Sequence, residues 1–275
     1  MVVIRADTLM SDINAYVSRL FIYPVKSLDS LKCDRATILE SGALKGDRTW
    51  AICDRDGNFV NGKRNAKVHS LRSQFDLATN ILTLQTQEKD RASFGLNTEK
   101  PELCDWLAEY FGFPVDIKQD LNMGFPDDTV SPGATIVSTA TLEAIADWYP
   151  ELDTEDIRRR FRANIELAGV PAFWEDNLFT TADSTVKFRI GDVEFMGINP
   201  CQRCIVVTRD PETGKAYPKF QKIFISQRKN ALPESIERSR FNHYFRLAVN
   251  TRLNSTEAGK VIKLGDLLEL DYACP

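Results

Sequence analysis

A chain of 275 residues with 43% hydrophobic and 27% charged side chains has room for one large domain or two ordinary ones, and is composed like a folded protein. Its 35 Lys and Arg against 39 Asp and Glu leave a net charge of −4, which argues against nucleic acid or an anionic membrane as the main partner, since both select basic surfaces. No apolar run approaches the roughly 20 residues that span a bilayer, and Met1–Asp7 has charge inside its short apolar stretch and no cleavable leader pattern. The expectation is a cytoplasmic protein without a membrane anchor, with its six cysteines reduced.

In chain order, Arg19–Val25 and Thr49–Cys53 are predicted strands, rich in β-branched and aromatic residues. The second runs into a turn at Asp54–Asn58 and on to Phe59-Val60. Ser73–Gln85 is a predicted hairpin that turns at Asn80. Pro101–Phe113 has helical periodicity, with Pro101 in the first turn and Gly112 near the end. The polar stretch Lys118–Pro132 marks the expected boundary between units 15–120 and 121–275. A helix is expected over Thr139–Tyr149, ended by Pro150. Another is expected to be capped by Asp153, with Asp156 at its third position, and to reach about Phe161. Lys187–Phe195 and Val261–Leu270 alternate like strands, each broken by Gly-Asp. The fold class is mainly β with α (α+β), a β-barrel-like N-terminal unit followed by a second β-barrel with attached helices.

The most reactive spacing is Cys201-Gln202-Arg203-Cys204. A structural zinc site needs about four ligands, and the only histidines are His69 and His243. A thioredoxin-like pair opens a helix in a βαβ unit, whereas Ile205–Thr208 reads as a strand. Two buried structural thiols are the third reading, and the pair by itself leaves all three open.

The pair has company. Tyr23-Pro-Val-Lys26-Ser27 and Gly46-Asp-Arg48-Thr-Trp50 precede it, then Phe161-Arg162-Ala-Asn164, and Phe241-Asn-His-Tyr244-Phe245 follows. In this order, from about Ser18 to Leu270, these motifs resemble the MOSC family, named for the C-terminal domain of molybdenum cofactor sulfurase. Within it they are most similar to the mitochondrial amidoxime-reducing component and its bacterial relatives. The resemblance implies a molybdenum–molybdopterin cofactor (Moco) and two-electron reduction of N-hydroxylated compounds such as amidoximes, N-hydroxylamines and N-hydroxy bases.

It also implies roles for single residues. Cys204 becomes the metal ligand and catalytic residue, a soft donor suited to a redox metal, with Cys201 accessory. Lys26, Ser27, Arg48 and Arg162 become donors to the cofactor phosphate, which guanidinium and ammonium groups recognise. Ser131, in Val-Ser-Pro where the family has Thr-Ser-Pro, also contacts the cofactor, as do Gln202, Arg203 and Tyr244. Asn164 supports Arg162 or caps a backbone group rather than acting chemically, and His243 is a rim or packing residue, with proton donation the alternative. The run Arg158–Arg160 reads as a solvated helix face or a docking patch for an acidic partner.

Only Cys274 follows the second barrel, so no appended iron–sulfur module is expected. The resemblance then calls for a separate electron-donor protein: a flavoprotein reductase, a ferredoxin or a cytochrome b5-like protein. Sulfur transfer on Cys204 and non-catalytic cofactor carriage are the alternatives. The reading requires Lys26, Arg48 and Arg162 to converge near Cys204.

Overall fold

Short alternating segments build most of this chain, and a computed structural model describes them over residues 14–233 and 236–270. Met1–Asp7 and Cys274, considered above, lie outside the described residues. β1 (Tyr16–Ile22) pairs with β2 (Leu31–Cys33), and β3 (Arg35–Thr37) follows at once. β4 (Trp50–Asp54) turns at Asp54, whose carboxylate accepts from the Asp56 and Asn58 amides. β5 (Arg72–Asp76) and β6 (Ile81–Gln85) form the expected hairpin. Asn80 takes the left-handed turn conformation at φ 54°, which asparagine tolerates better than most residues.

β7 (Ala92–Gly95) completes that three-stranded sheet. α1 (Lys100–Phe111) starts on Pro101 and stops where Gly112 turns left-handed at φ 85°. It buries Leu103, Leu107 and Tyr110 in one core with Leu82, Leu84 and Ile117. The last of these belongs to β8 (Val115–Gln119), the antiparallel partner of β4.

The second half adds β9 (Ile136–Ser138), α2 (Thr139–Ala146), α3 (Thr154–Phe161) and β10 (Ile165–Ala168). β9 and β10 pair in parallel, as a crossover through two helices requires. β11 (Val186–Ile190) and β12 (Val193–Gln202) form a hairpin at Gly191-Asp192. α4 (Phe220–Asn230) packs Phe220 and Phe224 beside Phe161. β13 (Arg246–Arg252), β14 (Val261–Lys263) and β15 (Leu268–Leu270) end the described chain.

One sheet of eight strands dominates, in the order β15-β11-β12-β13-β9-β10-β1-β2. Strands from both ends of the chain therefore share one hydrogen-bonded layer. The sheet curls until Tyr16 bridges Leu267, beside β15, yet no closed barrel ladder forms among the described residues.

One local expectation needs correction. Ile205–Thr208 is a single 3-10 turn, not a strand. A four-residue apolar run is ambiguous by periodicity, and here the Thr208 hydroxyl donates to the Ile205 carbonyl at 2.7 Å, closing the turn. The two Gly-Asp breaks also differ: Gly191 joins paired strands, whereas Gly265 lets the chain leave β14, which pairs with β3, for β15, which pairs with β11.

Candidate functional site

A cleft of about 1130 Å³ runs from the end of β12 and the C-terminus of α3 to the β5–β6 hairpin. Twelve Lys and Arg residues line it against five Asp and Glu, an inversion of the chain's net charge of −4. Opposing walls of one sign focus potential into a cleft, so this one attracts anions.

Its floor is organised around Tyr23, which is 4% exposed. The Arg162 guanidinium lies 4.1 Å from the ring centroid and that of Arg48 lies 5.1 Å away. The phenol donates to the Ala163 carbonyl at 3.2 Å, and burial pushes its pKa up to about 12, so it stays a neutral platform. Burial by itself lowers the Arg48 pKa, but Asp47 and then Asp127 overcome it and raise the net value. Arg162 is lowered, first by burial and then by Arg48, partly offset by Tyr23. Asp47 ties the group together: it accepts from the Tyr23 amide at 2.8 Å, from Asn164 Nδ2 at 3.2 Å and from Arg48.

Ser27, Arg48 and Arg162 all hold left-handed backbone, at φ 73°, 50° and 55°. For non-glycine residues each such placement costs about 1 to 3 kcal/mol and concentrates at functional sites. Arg162 occupies the α3 C-cap, a position that ordinarily takes glycine. Phe161, 1% exposed, anchors the last turn in the core, so the chain must turn left and Arg162 is delivered over Tyr23.

Lys26 reaches the same cleft from the strand bridge Val25–Trp50. Its ammonium donates to the Phe125 carbonyl at 2.8 Å and to Asp127 at 2.5 Å. The Asp127 side chain is largely exposed, and the Lys26 ammonium beside it outweighs what desolvation it has and holds the carboxyl low. Ser131 is buried beside this pair, its amide accepted by Asp128 at 3.0 Å.

The cysteine end is shaped by β12. Pro200 has no N–H to donate to β13, and the register shifts between Pro200 and Gln202. That bulge delivers Cys201 and Gln202 to the cleft. Arg203 donates to Cys201 Sγ at 3.2 Å and to the Phe161 carbonyl at the end of α3. Cys204 is exposed at the cleft, at the head of the 3-10 turn.

Lys26, Ser27, Arg48, Ser131, Arg162, Gln202, Arg203 and Cys204 thus meet in one cleft. Tyr244 does not line it. Its ring stacks on Phe241 at 6.1 Å and packs on the main core. His243 does not line it either, and its Nδ1 accepts from the Phe245 amide at 3.3 Å. Asn164 makes no hydrogen bond to Arg162 among the described residues; its side chain instead caps backbone groups, accepting from the Thr135 amide at 3.2 Å and donating to the Phe21 carbonyl at 3.1 Å, and it donates to Asp47. The Arg158–Arg160 run is not a solvated face: Arg158 pairs with Glu166 at 2.6 Å, and Arg160 is 3% exposed. Sequence reading passed over Tyr23, Asp47 and Asp127, although the first two lie inside the quoted motifs.

Among the described residues no three His, Cys, Asp or Glu side chains gather as a metal cage. A metal here would need ligands beyond the protein. No described helix is long and apolar enough to cross a membrane.

Comparison with known proteins agrees with this layout. Residues 14–111 match the MOSC N-terminal beta barrel domain, and residues 132–269 match the MOSC domain. The chain is 28% identical over 235 residues to mitochondrial amidoxime reducing component 2 of Bos taurus, covering 72% of this chain and 67% of that one. It is 25% identical over 235 residues to mitochondrial amidoxime-reducing component 1 of Danio rerio, covering 72% and 70%. It is also 25% identical over 244 residues to molybdenum cofactor sulfurase of Danio rerio, where it spans only 28% of the relative's length.

Proposed function

The chain belongs to the MOSC domain family, and on that premise we propose that it is a molybdenum-cofactor-dependent reductase of N-hydroxylated compounds. The observation that carries this reading is the convergence of eight residues from five distant segments on one cationic cleft beside an exposed cysteine. The donor set fits an anionic pterin cofactor. Arg162 and Arg203 have no carboxylate within 4.0 Å among the described residues, and Arg203 Nε is buried without a partner.

When bound, molybdopterin-held molybdenum supplies two-electron chemistry that side chains lack. The chain's own residues bind and orient. Cys204 offers a soft sulfur donor to the metal. Arg48 and Arg162, stacked on Tyr23, present planar forks to a phosphate, with Lys26 and the Ser27 hydroxyl beside them. Arg203 braces Cys201 against the end of α3, and Gln202 and Ser131 offer polar contacts to the pterin. Electrons come from a separate donor protein of the flavoprotein, ferredoxin or cytochrome b5-like class.

The test is anaerobic oxidation of reduced viologen with benzamidoxime, using protein assayed for molybdenum and pterin. Wild type should turn over, and Cys204→Ala should lose at least about a hundredfold in rate. Full activity in Cys204→Ala would overturn the reading.

Similarity to the cofactor sulfurase supports one second reading, sulfur carriage on the exposed Cys204. Molybdenum and pterin at one per chain favour the reductase, whereas metal-free protein releasing sulfide from Cys204 on thiol treatment favours sulfur transfer.

A further inference from the structure

The cleft continues beyond the phosphate-binding floor onto the N-terminal sheet. Arg72 and Gln74 of β5 lie opposite Gln85 and Thr83 of β6, and all four line the cleft. Strand alternation sends Leu82 and Leu84 to the other face, where they join the core. Arg91, just before β7, donates to Gln74 Oε1 at 2.7 Å.

Charge on this wall is unbalanced. The neighbouring Asp29 is already held by Arg72 at 2.9 Å. Lys63, Arg91 and Arg209 have no carboxylate within 4.0 Å among the described residues, and Arg209 Nε is buried without a hydrogen-bond partner. If Lys26, Arg48 and Arg162 serve the cofactor phosphate, these three cations face the same cleft with no counter-charge. A drug-sized ligand fills about 300 to 1,000 Å³, so a cleft of about 1130 Å³ has room for a second anion.

We propose that the polar face of the β5–β6 hairpin, with Lys63, Arg91 and Arg209, is a second anion subsite. It takes the phosphate or carboxylate of a substrate whose nitrogen–oxygen group reaches the Cys204 end. This inference rests on the reductase reading and narrows its substrates to anionic N-hydroxylated compounds.

Two measurements on the purified holoprotein test it, each comparing wild type with Lys63→Gln/Arg91→Gln. Both side chains are exposed, so the double variant should fold. The first is the ratio of kcat/KM for 4-carboxybenzamidoxime to that for benzamidoxime. It should exceed one in wild type and fall about tenfold in the variant, through KM, as for loss of a charged hydrogen bond. A ratio that does not move overturns the subsite. The second is calorimetric titration with phenyl phosphate, which reads the wall without turnover. Affinity about tenfold weaker in the variant supports the subsite, and equal affinity overturns it. If neither amidoxime is reduced, the reductase reading fails while the titration still decides the subsite.

Discussion

Tyr23 shows how one side chain organises several charges. It is buried against two guanidiniums, its hydroxyl is fixed by Ala163, and its amide is fixed by Asp47. The left-handed Arg48 and Arg162 are held by these contacts, so the strain is offset locally and the forks are set before any ligand arrives. A second buried set works differently. Glu175 and Asp176 are 1% and 2% exposed, and Arg228 pairs with Asp176 at 2.5 Å. Glu175 accepts a Thr141 hydroxyl at 2.9 Å, and among the described residues its Oε1 has no partner. Burial, and then Asp176, push its pKa up to about 7 from an ordinary 4.5. An acid whose folded pKa is raised contributes stability below 4.5 that is lost as pH rises through about 7. Thermal unfolding should therefore show stability falling as pH rises from 4.5 to about 7. Glu175→Gln should flatten that slope, and an unchanged slope would reject the assignment.

At the scale of elements, β12 and α3 position the chemistry. The α3 capping box, in which Asp153 and Asp156 satisfy each other's amides, sets where the helix begins. Eight residues later the helix ends on Phe161, whose carbonyl receives Arg203. β12 is seated by Gly197, where an added Cβ would lie 1.6 Å from the Leu178 carbonyl oxygen. Backbone is the obstacle there, so no rotamer change relieves it. Gly197→Ala should destabilise the protein by about 3 kcal/mol, read as a lowered unfolding midpoint. A midpoint within about 2 °C of wild type would show that β12 can shift without cost.

For the whole molecule, an acidic chain carries a basic cleft. Such a field steers anions and is screened over about 10 Å at 0.1 M salt. Raising salt from about 0.05 to about 0.5 M, which shortens the Debye length about threefold, should lower kcat/KM for 4-carboxybenzamidoxime by about tenfold. Benzamidoxime, being neutral, should change by less than about twofold. Equal loss for both would mean that the cleft's charge does not select substrate.

Much of this was legible in the residues themselves. Local signals suffice where neighbours in sequence make the structure: Pro101 and Gly112 bound α1, Asp153 and Asp156 cap α3, and Asn80 turns the hairpin. The motifs around Lys26, Arg48, Arg162 and Cys204 also named most of the cleft's floor, because each motif keeps its residue types at fixed spacing. Periodicity did not reveal α4, or that Ile205–Thr208 is a turn, since short apolar runs take the form their tertiary contacts select. Nor does sequence say which way a side chain faces across a fold. Tyr244 went to the core, Asp127 came to Lys26, and the hairpin's polar face joined the cleft. Those outcomes depend on pairings between strands more than a hundred residues apart, such as β1 with β10, and only the folded chain decides them.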